Sequence, residues 1–311
     1  MTELAPQELR VLVAVAEAGG FSAAAHRLGI TQSAVSHSVR GSEAKVGAVL
    51  FDRGRAGASP TPAGERAVAL GRRILRLYEV LGAEARAAGR AAAGPGTAEG
   101  VLRIAAFRSA ALHLLPPALE RLAARHPGIR PEIRVVRELG PGTAGEVAAG
   151  RADLAIATLS GPASRPLPGP LSGPPSGLPD GLPDGLLSGE LTREAYSLVH
   201  PAGHPDPKAL PLLDWDENCG SYTRDWWRAQ DWIPRATVKA EDDAMVLTMV
   251  GRGLGMAILP ELSLREATDA VEIAGLGPQG PVRRVGYVTT PELASTLAVR
   301  ALIRELRAER G

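Results

Sequence analysis

The sequence predicts a multidomain α/β protein: an N-terminal winged helix-turn-helix, one long connecting helix, and two Rossmann-like α/β lobes. Three observations carry that prediction. Residues 21–64 read FSAAAHRLGITQSAVSHSVRGSEAKVGAVLFDRGRAGASPTPAG. There a short Ala-rich helix, a Gly turn, a helix crowded with small hydroxyls and a basic Gly-rich loop follow one another, an order that places one helix in a DNA major groove. Next, an apolar stripe near heptad spacing runs from Thr61 to about Ala93. Finally, short apolar runs alternate with helical patterns from residue 99 onward, which implies parallel sheets covered by helices. At 311 residues the chain suits two or three domains.

The N-terminal elements follow from local chemistry. Leu9, Leu12, Val15 and Ala16 give one apolar face to a helix over about residues 7–18, ended by Gly19-Gly20. Ser22 is suited to N-cap a second helix over 23–28, where Ala23, Ala24 and Ala25 permit close packing and Leu28 closes the face. Gly29 supplies the left-handed backbone of the turn. Thr31 caps a third helix from Gln32 to about Val46, with Val35, Val39 and Val46 inward. Gln32, Ser33, Ser36, His37 and Arg40 then share the other side, and short donors and acceptors in such a stripe suit base edges and phosphates.

Thr61 and Pro62 open the long helix as N-cap and first helical residue. Ala67, Leu70, Ile74, Leu77, Leu81 and Ala88 recur along one side. Thirty helical residues span about 45 Å, and a lone stripe of that length calls for a partner, most simply a second copy. Gly94-Pro95-Gly96 breaks the helix. Beyond it the chain reads as strand VLRIAAF, helix Leu112 to His126, strand EIRVVREL, helix GTAGEVAAGR and strand ADLAIATL. A second unit contains YSLVH, a helix over about 224–230, ATVKAE, a helix over about 243–252 and GMAILP. Residues 160–190, rich in Gly, Pro, Ser and Leu, read as an irregular surface insertion.

These residues resemble the LysR-type transcriptional regulators. The resemblance is carried by FSAAAHRL, TQSAVSHSVR, LFDR and TPAGE. More weakly, LRIAAF, LLPPAL, HPGI, GRADLAIA, LVHPAGHP and GRGLGMAILPEL follow in the family's order over nearly the whole chain. Two positions depart from the pattern: Gly41-Ser42 replaces the usual Ala-Leu, and His37 stands where Arg is common. The resemblance implies a winged helix-turn-helix (1–60), a dimerising linker helix (61–93) and two lobes of the periplasmic-binding-protein type. The first lobe would comprise 99–160 with 268–311, where VRRVGYVTT and a last helix over about 292–309 complete it, and the second 161–267. It further implies that Gln32, Ser33 and Ser36 read bases while His37, Arg40, Arg53 and Arg55 hold phosphates of double-stranded DNA. An effector would sit between the lobes near Phe107, Arg108 and Ser109, Gly140, Gly142 and Thr143, and Cys219, Gly220, Ser221, Tyr222 and Thr223, with Arg108 favouring a carboxylate. Homotetramers and contact with RNA polymerase are further implied partners.

Several features are weighed against plainer readings. Arg53, Arg55, Arg66, Arg72, Arg73 and Arg76 make the region after the third helix basic, although net charge is only +1. All four Trp (Trp215, Trp226, Trp227 and Trp232) lie within 18 residues, more in keeping with packing than with a ligand. Cys219 is the one cysteine. Some members of the family sense peroxide through a cysteine in this lobe, but a structural thiol is the plainer expectation. His200 and His204 are separated by Pro201 and Gly203, so no helix aligns them, and no third ligand completes a metal site. No phosphate loop and no nucleophile elbow is present. The expectation is a cytoplasmic regulator without cofactor, membrane segment or catalysis. The alternatives are a redox sensor using Cys219 and a small-molecule binding protein whose N-terminal module docks protein.

Overall fold

The computed structural model describes residues 3–54, 57–91, 98–159, 185–217 and 226–308; the side chains of Arg53, Arg90 and Ala91 lie outside that description. Helices α1 (Pro6–Ala18), α2 (Phe21–Leu28) and α3 (Gln32–Val46) enclose a core of Val11, Leu12, Val15, Ala24, Val35 and Val39. Gly29 adopts φ +66° at the turn, and Thr31 Oγ1 accepts the Ala34 N–H at 3.2 Å, capping α3 where the sequence placed it. Two local expectations change. Helix α2 starts at Phe21 with Gly20 as its N-cap, because the Phe21 ring packs edge-on against Phe51 at 6.4 Å and draws the first turn back; Ser22 lies inside the helix. Val46 is exposed, since α3 ends at Gly47 and Leu50 fills the core beyond it. Ser42 instead takes the inward position, fully buried, with its hydroxyl donating to Ser38 O at 2.9 Å.

The wing is the antiparallel pair β1 (Phe51–Gly54) and β2 (Gly57–Pro60). Glu43 Oε1 accepts the N–H groups of Leu50 and Phe51, and the Ala58 N–H donates to Gly19 O at 2.9 Å, so the wing is tied to both α3 and α1. Helix α4 (Pro62–Ala91) begins under Thr61, whose Oγ1 accepts the Gly64 N–H at 3.0 Å. Gly71 lets α4 approach Leu9 and Val13 of α1, and Val68 and Ala87 are buried. Leu70, Ile74, Leu77, Tyr78 and Leu81 form an exposed row along the same helix.

The first lobe is built from β3 (Glu99–Ala106), α5 (Arg108–His113), α6 (Leu115–Arg125), β4 (Gly128–Val135), α7 (Gly142–Ala148) and β5 (Leu154–Thr158). The expected helix 112–126 is broken at Leu114, because Pro116 and Pro117 lack the donors needed to continue one helix and are tolerated in the first turn of a new one. Strand β4 lies four residues earlier than EIRVVREL, pairing in parallel from Glu99↔Gly128 to Ala106↔Val135. Beyond these, the described residues include β6 (Leu187–Pro201), a 3-10 turn (Pro207–Ala209), β7 (Leu212–Trp215), β8 (Ala236–Ala240), α8 (Asp243–Gly251), β9 (Ala257–Pro260), α9 (Glu261–Leu264), β10 (Val271–Gly275), β11 (Val282–Thr289), α10 (Pro291–Ala294) and α11 (Leu297–Arg307). The expected last helix is thus two, because Thr296 Oγ1 donates to Leu293 O at 2.7 Å and closes the first.

One long strand joins the lobes. The N-terminal half of β6 pairs with β11 in the first lobe, and its C-terminal half pairs with β9 and β10 in the second. The lobe boundary therefore shifts. Residues 187–195 belong to the first lobe's sheet, and 271–275, expected in the first lobe, belong to the second. The sheet order is β10-β6-β11-β5-β3-β4, with β11 antiparallel to β5, so the first lobe is mixed and not wholly parallel. Of the Gly/Pro-rich stretch 160–190, residues 160–184 lie outside the described residues, while 187–190 are regular strand. Each lobe has its own core: Leu102, Ile104, Leu115, Leu122 and Leu302 in the first, Tyr196, Leu213, Val246, Val250 and Ile258 in the second. Trp215 is buried and Trp226, Trp227 and Trp232 pack against the second core, in keeping with the packing reading.

Helix α4 is clamped to the first lobe. Arg76 Nε and Nη2 donate to the two oxygens of buried Asp153 at 2.7 Å each, and Nη2 also reaches Val101 O at 2.6 Å. Burial opposes the Arg76 charge, but Asp153 and Glu79 outweigh it and raise its pKa. Arg73 pairs with Glu292 and Arg72 with Glu17. These three arginines, read as part of a basic region, are structural.

Candidate nucleic-acid interface and effector cleft

The third helix presents a polar face. Gln32, Ser33, His37 and Arg40 are exposed and Ser36 is half-buried, while Val35, Val39 and Ser42 turn inward. Ser33 Oγ lies 3.0 Å from Thr31 Oγ1, which fixes the start of the stripe. Helix α3 is held by Lys45, whose Nζ donates to both Glu8 oxygens at 2.7 Å; that bond keeps the Glu8 carboxyl below its usual range. Arg27 of α2 pairs with Glu17 of α1 at 2.6 Å, and Arg72 of α4 reaches the same carboxylate at 3.2 Å. Arg53 lies in β1 beside the tip of the wing; its side chain and all of Arg55 are outside the described residues. The arrangement is one outward helix with one β-hairpin adjacent to it.

The second site lies between the lobes. Phe107, Arg108 and Ser109 sit at the junction of β3 and α5, facing Trp215, Glu217, Asp243 and Ser263 of the other lobe, with Arg283 of β11 alongside. Arg108 points inward and is already paired: Nη1 to Asp243 Oδ1 at 3.1 Å and Nη2 to Glu266 Oε2 at 2.8 Å. Burial opposes its charge, but the Glu266 bond and the charges of Asp243, Glu266 and Asp242 raise its pKa. A second clasp runs from Arg137 to Asp216 at 2.9 Å and Glu217 at 3.3 Å. Asp243 is bonded in turn to Ser263 Oγ. The cavity these residues line measures about 10 Å³, and the Arg108 and Arg137 ion pairs bridge the lobes beside it.

The other expected effector residues are placed differently. Thr143 is fully buried, and its hydroxyl is spent on Glu138 Oε1 (2.7 Å) and Ile156 O (2.9 Å). Gly142 is buried with φ +54°, where a Cβ would collide with the Glu138 carboxylate, while Gly140 is exposed. Neither these three nor any described neighbour of theirs in α7 lines the cavity beside Ser109. Cys219, Gly220, Ser221, Tyr222 and Thr223 lie outside the described residues. Sequence reasoning missed Asp243, Glu266, Glu217, Glu138 and Arg283. Burial lifts the Glu138 carboxyl above its usual range despite bonds from Thr143 and Thr158, and lifts Glu217 likewise despite Arg137. Arg283 pairs with Glu194 at 2.6 Å, both nearly sealed from solvent, and lies 4.6 Å over the Phe107 ring. Among the described residues, no cluster of His, Cys, Asp and Glu is arranged to hold a metal ion, and no helix is long and apolar enough to cross a membrane.

A winged helix-turn-helix joined by a long helix to a two-lobed binding unit defines a DNA-binding sensor, and the comparisons with known proteins place it within one family. Residues 6–65 match the bacterial regulatory helix-turn-helix protein of the lysR family, and residues 95–311 match the LysR substrate binding domain. The probable HTH-type transcriptional regulator LrrA of Synechococcus elongatus is 33% identical over 303 residues, covering 94% of this chain and 92% of that protein. Among solved structures, ArgP from Mycobacterium tuberculosis superposes with a TM-score of 0.69 at 20% identity, covering 98% of this chain and 97% of that one. Full-length CbnR in complex with its target DNA superposes with a TM-score of 0.61 at 19% identity, covering 98% and 99%; at such identities the likeness shows the fold alone. The chain belongs to the LysR family and is a DNA-binding transcriptional regulator with an effector-binding domain.

Proposed function

We propose that this regulator binds a partly palindromic operator as a dimer paired through the exposed α4 stripe, with two dimers forming a tetramer. Gln32, Ser33 and Ser36 read base edges, while His37, Arg40, Arg53 and Arg55 hold phosphates. The observation that carries this reading is the outward polar face of α3 beside the wing. The dimer is supported by Leu70, Ile74, Leu77, Tyr78 and Leu81, which stand exposed along one side of a thirty-residue helix. The switch is the cleft: a ligand that parts Arg108 from Asp243 and Glu266 shifts the lobes, and through the Arg76–Asp153 clamp shifts α4 and the DNA-reading helices. Nothing in this scheme calls for catalysis. The protein acts in the cytoplasm, and RNA polymerase is the partner at the promoter.

The carboxylate effector expected from Arg108 fits less well than the sequence alone implied, because two carboxylates already neutralise that guanidinium. A gel shift with the DNA upstream of the protein's own gene tests the reading. Three formal charges per subunit from Arg40, Arg53 and Arg55, doubled in a dimer, give a slope of log affinity against log salt of about −5. Binding no tighter to that DNA than to scrambled DNA at every salt concentration overturns it.

A further inference from the structure

The second lobe sends one segment back to the first. Strands β9 and β10 both pair with the C-terminal half of β6, and α9 leaves the sheet between them. Its Leu262 is 3% exposed and belongs to the first lobe's core, with Phe107, Ala110 and Val285. A side chain of one lobe seated in the core of the other is a knob. A change of interlobe angle must turn around it or pull it out, and pulling it out exposes apolar surface and leaves a cavity.

The knob is tied at the strand crossing. The Leu262 N–H donates to Glu194 Oε2 at 2.8 Å, and Glu194 Oε1 accepts Arg283 Nε at 2.6 Å. Glu194 stands two residues before Tyr196, where the pairing of β6 passes from β11 to β9, and Arg283 stands where β11 begins in the first lobe. One buried carboxylate therefore joins the outgoing strand, the returning strand and α9. The other end of the segment reaches the cleft. Ser263 Oγ bonds Asp243, Arg265 Nη1 reaches His113 O of α5 at 3.4 Å, and Glu266 pairs with Arg108 at 2.8 Å. The Arg108–Glu266 and Arg265–His113 contacts are partly exposed, and contacts of that kind yield far more readily than a buried pair and a seated core residue.

We propose that α9 is the pivot of the two-lobed unit. The lobes turn about Leu262 and Glu194, and the Arg108–Glu266 and Arg265–His113 contacts form the latch that sets the angle. The inference rests on the reading of the cleft as the switch. Pulsed electron paramagnetic resonance tests it on the full chain carrying Cys219→Ser, with spin labels at exposed Ala124→Cys in the first lobe and Ala209→Cys in the second. Labelled chains diluted into unlabelled ones report distances within one subunit. The expected result is one narrow distance that broadens with Leu262→Ala and stays narrow with Leu302→Ala, which truncates the same core from within the first lobe. Leu262→Val, with a smaller broadening, carries the test if Leu262→Ala fails to fold. Hydrogen exchange on the unsubstituted protein needs no variant: the Leu262 amide should be protected like those of β3. A narrow distribution in both Leu262 variants, equal broadening by Leu302→Ala, or a Leu262 amide that exchanges like an exposed turn overturns the pivot. Arg108→Ala separates the two readings, since release of the latch should shift the mean distance without broadening it. If Arg108→Ala changes neither distance nor DNA affinity while Leu262→Ala broadens the distribution, the pivot stands and the cleft is not the switch.

Discussion

Replacing Arg76 by Ala should unfasten α4 from the first lobe. The guanidinium makes four bonds: two to Asp153, one to Val101 O and one to Glu79. Asp153 is 98% buried at its side chain and would keep one donor, the Arg103 N–H at 2.9 Å. Breaking one side of a buried ion pair costs about 3–5 kcal/mol. The retained Arg103 donor and the slight exposure of Arg76 place the loss near the low end, about 3 kcal/mol. For a unit of this size that corresponds to roughly 10 °C in unfolding midpoint. Differential scanning calorimetry is the suitable assay, because all four Trp lie between 215 and 232 and fluorescence would report the second lobe. Asp153→Asn added to Arg76→Ala should recover about 1–2 kcal/mol by removing the stranded charge. A loss below about 1 kcal/mol for Arg76→Ala, or strict additivity of the two changes, would refute the clamp.

Three further outcomes follow from the same geometry. Gly57 has φ +120° and a Cβ there would lie 2.2 Å from Gly19 O; Gly57→Ala should cost about 1–3 kcal/mol and displace the wing, seen as a lower melting temperature and weaker binding to all DNA. Leu77→Glu with Leu81→Glu should convert the assembly to monomers in sedimentation velocity and abolish tight operator binding; an unchanged mass contradicts the α4 interface. Burial raises Glu138 and Glu217 above the ordinary value of 4.5. The folded state then holds a proton that the unfolded state has released, so their contribution is most favourable in acid and is lost as pH rises from 4.5 through the folded value. Melting temperature followed against pH should fall less steeply over that window in Glu138→Gln than in the wild type, and parallel curves would exclude Glu138 as a cause.

How much of this was legible in the sequence varied with the range of the interactions. Helix α3 was bounded correctly because both its ends are local: the Thr31 side chain caps one and the left-handed Gly47 ends the other. The start of α2 was not, because it depends on Phe21 meeting Phe51 thirty residues away. Strand β4 reads four residues too late in the sequence, since Pro131 lies within it and its residues are mostly exposed, as an edge strand permits. The N-terminal half of β6, with Ser188, Gly189 and Glu190, carries no apolar run and reads as the tail of the insertion; its order comes from pairing with β11. Gln32, Ser33 and Ser36 could be singled out because a helix period sorts them from Val35 and Val39. Asp243 and Glu266 could not, because they stand 135 and 158 residues from Arg108 and meet it only through the fold.

The most direct test of the account is a fluorescence anisotropy titration of the Ser33→Ala, Ser36→Ala double variant against operator and scrambled DNA over a range of salt. The variant should lose most of its preference for the operator while its affinity for scrambled DNA and its salt slope stay at wild-type values. Equal weakening on both DNAs, or an undiminished preference, would mean that α3 does not read the sequence through these hydroxyls.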